Sequence, residues 1–171
     1  MIKYPIILAA LLSVSSLLQA AELKAFNSDQ ATPPLILQDL QGKTHDLNDY
    51  KGKVVLVQFW ATYCAPCRQE MPTMDKMTKK MADVPFKILA IDMGESKAEV
   101  EKFVSEVKPE FTILLDESGD SISNWKIFAV PSNFIIDPQG KIRYTLFGGV
   151  DWADETLISK LKALAVTETA K

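Results

Sequence analysis

Both cysteines of this chain, Cys64 and Cys67, sit two residues apart directly after the apolar run Val54 to Trp60. That run is β-branched and almost continuous in apolarity, the pattern of a strand covered on both faces. A buried strand that ends in Cys-x-x-Cys and feeds a helix restricts the fold sharply: the thiols must lie at a strand-to-helix turn, near a helix N-terminus.

Other uses of the two cysteines fit poorly. A zinc site needs four ligands, and the only histidine is His45; an acidic residue would have to complete the set, and no spacing suggests one. Covalent haem needs Cys-x-x-Cys-His, and Arg68 follows Cys67 here. An iron–sulfur cluster lacks thiolates. A purely structural disulfide across so short a loop would add little entropy. Dithiol–disulfide chemistry remains, with Cys64 as the more exposed, attacking thiol and Cys67, one turn further in, as the resolving thiol. The helix N-terminus favours the Cys64 thiolate.

The 171 residues suit one compact domain, 47% hydrophobic and 24% charged. The net charge of −3 lacks the basic excess of a nucleic-acid binder. Residues 1–20 read as a signal peptide: Lys3, the apolar stretch Ile6 to Leu18, then Ala20 at a cleavage point. The apolar stretch is short for a membrane anchor, which is the lesser reading. Export to an oxidising compartment, the bacterial periplasm, follows.

Residues 21–34 read as an extended lead-in, 35–166 as the folded domain and 167–171 as a frayed tail. Leu35 to Leu40 and Lys43 to Leu47 flank Gln41-Gly42 as a β-hairpin, followed by one helical turn over Asp46 to Tyr50. The first long helix runs from about Cys64 to Met81, with Pro66 in its first turn and a kink expected at Pro72. Further strands fall at Lys87 to Asp92, Phe111 to Leu115, Asn133 to Ile136 and Lys141 to Phe147. Helices fall at Ser96 to Val107, opened by a Ser96/Glu99 capping box, at Ser121 to Phe128, and from Asp151 to Ala165. Asp151 and Trp152 are read as capping and packing that last helix. The order gives an α/β fold, a central mixed sheet with helices on both faces.

The run Phe59-Trp60-Ala61-Thr62-Tyr63-Cys64-Ala65-Pro66-Cys67-Arg68-Gln69-Glu70-Met71-Pro72 resembles the active-site signature of the TlpA/ResA-like branch of the thioredoxin superfamily. The resemblance extends from Leu35 to Leu164 and includes Gly52-Lys53-Val54-Val55 and Val130-Pro131. It implies a thioredoxin-like fold with an N-terminal β-hairpin and a βα insertion over Ser96 to Leu115. It also implies an exported protein-disulfide reductase. Tyr63 departs from the family, which usually carries a second tryptophan there.

The resemblance further implies a cis peptide at Val130-Pro131 beside the cysteines, where Val130 would meet an extended substrate segment. Glu70 matches a family glutamate and is a candidate to relay the Cys67 proton, because Gln58 stands where thioredoxins carry a buried aspartate. The other reading of Glu70 is an acid favoured by the helix dipole. Trp60, Tyr63 and Pro66 are placed on the substrate-docking surface, Trp60 half-exposed. His45 is given no role.

The implied partners are a substrate protein disulfide, most often in cytochrome c maturation, and a membrane-bound electron donor. The protein is read as a monomer. No metal and no cofactor beyond the Cys64–Cys67 disulfide is expected. The alternatives are an oxidase or isomerase of the same fold, or a copper-binding redox chaperone using the cysteines and Met71, Met74, Met77 and Met81. Helical spacing favours core packing for those methionines.

Overall fold

The computed structural model describes residues 22–28 and 30–166. The signal-peptide segment and the 167–171 tail read from the sequence lie outside the described residues.

The strand read as buried on both faces is β4, Val54–Trp60, and every residue in it is buried. It is central in an eight-stranded sheet ordered β1-β8-β7-β4-β5-β6-β2-β3. The members are β1 (Lys24–Ala25), β2 (Ile36–Asp39), β3 (Thr44–Asp46), β5 (Phe86–Asp92), β6 (Thr112–Leu115), β7 (Ser132–Ile136) and β8 (Ile142–Phe147). β4–β5 and β5–β6 are parallel, and the remaining pairs are antiparallel. This is the mixed sheet expected of a thioredoxin-like fold.

Alternation along β4 assigns its side chains to two cores. Val54, Leu56 and Trp60 face the helices α1 (Ala65–Lys80), α2 (Lys97–Val107) and α4 (Glu155–Val166). Val55, Val57 and Phe59 face the other layer, built from the 3-10 turn Leu47–Tyr50 and α3 (Asp120–Asn124) with Trp125. Gln58 has the parity of the α1 side, so the central strand carries one polar side chain beneath the helix that follows the cysteines.

Local signals set most element ends. Asp46 caps the 3-10 turn by accepting the Asn48 N–H, and the Ser96/Glu99 capping box is complete in both directions. Met71, Met74, Met77 and Met81 are all buried, the last three in the core beneath α1. Burial in the packed core displaces the copper-stripe reading of these methionines.

Within the extended lead-in, Lys24 and Ala25 pair with Thr145 and Tyr144 as an added edge strand. Two residues hold no periodicity to read, and the pairing depends on the distant β8. Two sequence expectations need correction. First, α3 stops at Asn124, because Trp125 turns its indole into the second core and donates Nε1–H to the Pro34 carbonyl at 3.2 Å. Finally, α4 opens at Glu155 and its cap is Asp154, whose Oδ1 accepts the Thr156 and Leu157 N–H groups. Trp152 is buried packing, as expected, but Asp151 closes the preceding turn on the Ala153 N–H.

Candidate active site

The chain leaves β4 at Trp60, makes a turn closed by the Cys64 N–H to the Ala61 carbonyl at 3.1 Å, and enters α1. Cys64 occupies the N-cap position, and its sulfur accepts the Cys67 N–H at 3.2 Å. Pro66 falls in the first turn, where a missing N–H leaves no gap in the helix ladder. Cys64 and Cys67 are joined as a disulfide. Cys64 is 6% exposed and Cys67 0%, so the first cysteine is the accessible one. Unpaired backbone N–H groups at the helix start stabilise negative charge on that sulfur once the bond is opened.

Glu70 lies one helical turn after Cys67 and is 1% exposed. Its Oε2 accepts the Gln58 Nε2–H at 2.8 Å and its Oε1 accepts the Val150 N–H at 2.8 Å. Burial pushes its carboxyl up to about 7, with the Val150 N–H pulling the other way. No cation contacts it among the described residues. A buried carboxyl with neutral donors, titrating near neutral pH one turn from a thiol, can take up and return that thiol's proton. Gln58, read from sequence only as the absence of an aspartate, is the donor that orients Glu70.

The third wall comes from remote residues. The Val130-Pro131 peptide is cis, and Val130 packs against the cluster that contains Cys64 and Cys67. The end of β8 ties this wall to the others. The Gly148 N–H donates to the Pro131 carbonyl at 3.0 Å, and Gly149 lies so close to Pro66 that a Cβ there would sit 3.2 Å from the proline Cβ. Val150 then reaches Glu70, and the Trp152 N–H donates to Thr73 Oγ1 at 3.0 Å.

Tyr63, beside Cys64, is 74% exposed, the outward aromatic expected there. Trp60 is not. Its ring is wholly buried, packed on Phe103 with centroids 4.9 Å apart. The in–out parity of β4 turns it towards α2, so it supports the dithiol from beneath instead of meeting a partner. Exposed Phe128 and Phe147, near Pro131 in the chain and in the sheet register respectively, were not singled out from sequence. Their only sequence signal is proximity to Val130-Pro131 and to the closing strand.

A family model described as the AhpC/TSA family matches residues 28–145. The chain belongs to that family. Within it, the chain is a member of the ResA-like thiol–disulfide oxidoreductases. It is 36% identical over 116 residues to the thiol-disulfide oxidoreductase ResA of Geobacillus thermodenitrificans, covering 68% of this chain and 67% of the relative. ResA of Bacillus subtilis is 34% identical over 110 residues, 64% of this chain and 62% of the relative. The matched region thus spans roughly two thirds of these relatives' length. Among solved structures, a putative thiol:disulfide interchange protein DsbE from Chlorobium tepidum superposes with a TM-score of 0.74. That match has 28% identity and covers 82% of this chain and 99% of the other. The ResA-like assignment accounts for the paired cysteines at the head of α1 and for the thioredoxin-like sheet. Among the described residues no group of potential metal-binding side chains assembles, and no helix is long and apolar enough to cross a membrane.

Proposed function

We propose that this ResA-like protein is an exported reductase of partner-protein disulfides. The Cys64 thiolate attacks a substrate disulfide, forming a Cys64–substrate mixed disulfide and releasing the substrate's other sulfur as a thiolate. Glu70 takes the proton of Cys67. The Cys67 thiolate then attacks the Cys64 sulfur, the second substrate thiolate leaves, and the Cys64–Cys67 disulfide is closed. The two electrons gained by the substrate are restored by a donor dithiol, carried by a membrane-bound partner. The observation that carries this reading is the placement of Glu70, buried one turn beyond Cys67 with both carboxyl oxygens held by neutral donors.

The substrate segment runs past Val130 and cis-Pro131 as an added extended strand, with exposed Tyr63 and Pro66 on its other side. Cytochrome c maturation is the pathway that the family resemblance favours. The protein acts as a monomer without metal or cofactor. Cleavage after Ala20 releases it into the periplasm. Support for export comes from the leader pattern and from a structural relative, 27% identical, described as the pneumococcal exposed lipoprotein thioredoxin.

Equilibration with glutathione tests the direction of electron flow. A potential well below the glutathione couple is expected, and one near the DsbA range would make the protein an oxidase. Cys64→Ser is expected to abolish disulfide reduction; retained turnover would overturn the nucleophile assignment.

A further inference from the structure

A second acidic group lies on the opposite side of the turn that presents Cys64. Asp92 closes β5 in register with Trp60 of β4, and its side chain is wholly buried. Its Oδ1 accepts the Glu95 N–H at 2.9 Å, while Oδ2 faces no donor. Glu95 reaches from the β5–α2 connection to the turn after β4. The Thr62 N–H donates to its Oε2 at 2.6 Å, and Thr62 Oγ1 donates to its Oε1. One carboxylate is thus bound at both oxygens by the residue two before Cys64. On its other side Thr62 offers its carbonyl to Arg68 Nη1 at 3.4 Å.

An ionised Asp92 would leave a buried oxygen without a donor next to the Glu95 charge, an arrangement that costs heavily. Carrying a proton, Asp92 has a hydroxyl to offer Glu95. Burial first, and then the Glu95 carboxyl, push Asp92 up to about 8, and Glu99 of α2 adds to the same trend. The other charged groups around the turn are already engaged. Arg68 of α1 stacks on Phe103 at 4.6 Å, Lys97 pairs with Glu101, and Asp116 beyond β6 accepts the Ser121 and Ile122 N–H groups.

We propose that Asp92 and Glu95 form an acid–carboxylate pair that positions the Thr62–Cys64 turn, and with it the attacking sulfur. The pair acts through Thr62 and touches no reacting atom, so both are positioning residues. The shared proton keeps Glu95 in place. Its loss sets two like charges together in a buried site and drives Glu95 off Thr62. The proposal rests on Cys64 as nucleophile, and its test separates the two ideas.

The reduced full-length protein is mixed with a chromogenic aromatic disulfide from about pH 6 to about pH 10, and the thiol that forms the mixed disulfide is identified by mass spectrometry. The wild-type rate is expected to follow one thiol ionisation and then to fall below that curve near about 8, where Asp92 loses its proton. Asp92→Asn, which keeps the shape and holds no ionisable proton, is expected to abolish the fall. Glu95→Gln is expected to react about tenfold more slowly below that point and to show no fall above it. An Asp92→Asn profile that superimposes on the wild type would overturn the pair, as would a Glu95→Gln rate equal to wild type. Trapping at Cys67 instead of Cys64 would sink the nucleophile assignment, whereas the fate of the high-pH fall judges the pair. Should either variant fail to fold, the carboxyl carbon resonance of Asp92 in the unmodified protein decides. A protonated shift at neutral pH supports the pair, and a carboxylate shift there overturns it.

Discussion

Two carboxylates, one partly open to solvent and one buried, behave in opposite ways at the two ends of this molecule. In the hairpin of β2 and β3, Asp39 accepts the Gln41 and Lys43 N–H groups at 2.9 Å each and meets His45 Nε2 at 2.8 Å. The His45 hydrogen bond holds its carboxyl below the usual range. The other ring nitrogen of His45 lies 2.6 Å from the Tyr50 hydroxyl, so the histidine given no role in the sequence is a structural fastener. Beside the dithiol, Glu70 meets neutral donors alone, the Gln58 amide and the Val150 N–H with the Trp152 indole nearby, and burial outweighs them and moves it upward. Burial against few donors raises one acid so that it can trade a proton, while hydrogen bonds at the more open site lock the other.

Glu70→Gln should give the largest departure, a fall in turnover of about 10- to 100-fold near neutral pH, read from a pH–rate profile. Its effect on stability should have the opposite sign. A carboxyl raised on folding stabilises fully at acid pH and loses that contribution as pH climbs through its folded value of about 7. Gln removes that loss, and the Gln58 amide can turn to offer its unpaired Oε1, so the variant should gain about 1–3 kcal/mol in denaturant melts above neutral pH. Lower stability at alkaline pH would break the contrast between the two ends.

Asp39→Ala should do the reverse, losing about 1–2 kcal/mol by unpairing the buried His45 ring while the two exposed N–H groups turn to water and turnover stays unchanged. For the parent, the Asp39 contribution is present above the ordinary aspartate value and fades as pH falls through the lowered one. Acid titration of the parent and variant melts would check that they converge. Gly149→Ala sharpens the comparison at the dithiol end. A methyl group 3.2 Å from the Pro66 Cβ should cost about 1 kcal/mol and slow turnover measurably. Tyr50→Phe, which removes one hydroxyl from the hairpin fastener, should be the mildest, at about 0.5–1 kcal/mol with no kinetic effect.

What could be read from the chain was local. Val54 to Trp60 declares a doubly covered strand by its nearly unbroken apolarity, while Ser96 and Glu99 mark a helix start and Gln41-Gly42 a hairpin because neighbours in sequence make those bonds. The Cys-x-x-Cys site is legible in the spacing itself, and the cis-Pro131 site through family resemblance. What escaped depends on contacts made across the sheet. Trp60 reads as half-exposed because a strand-end aromatic has no local mark of its facing; parity and Phe103 decide it. Val150, Glu95 and Asp92 are separated from the cysteines by tens of residues, and only the folded chain sets them beside α1 and its lead-in turn. Asp92 did leave one trace, a carboxylate ending an otherwise apolar strand.

The passage from β8 to α4 is fastened at three consecutive residues: Gly148 to Pro131, Gly149 against Pro66, Val150 to Glu70. Surface connections normally accept extra residues at small cost. This one is a gauge whose length is set by the distance between proline wall, helix head and buried acid. A single inserted residue after Gly148 would keep every side chain of the site and still misalign all three.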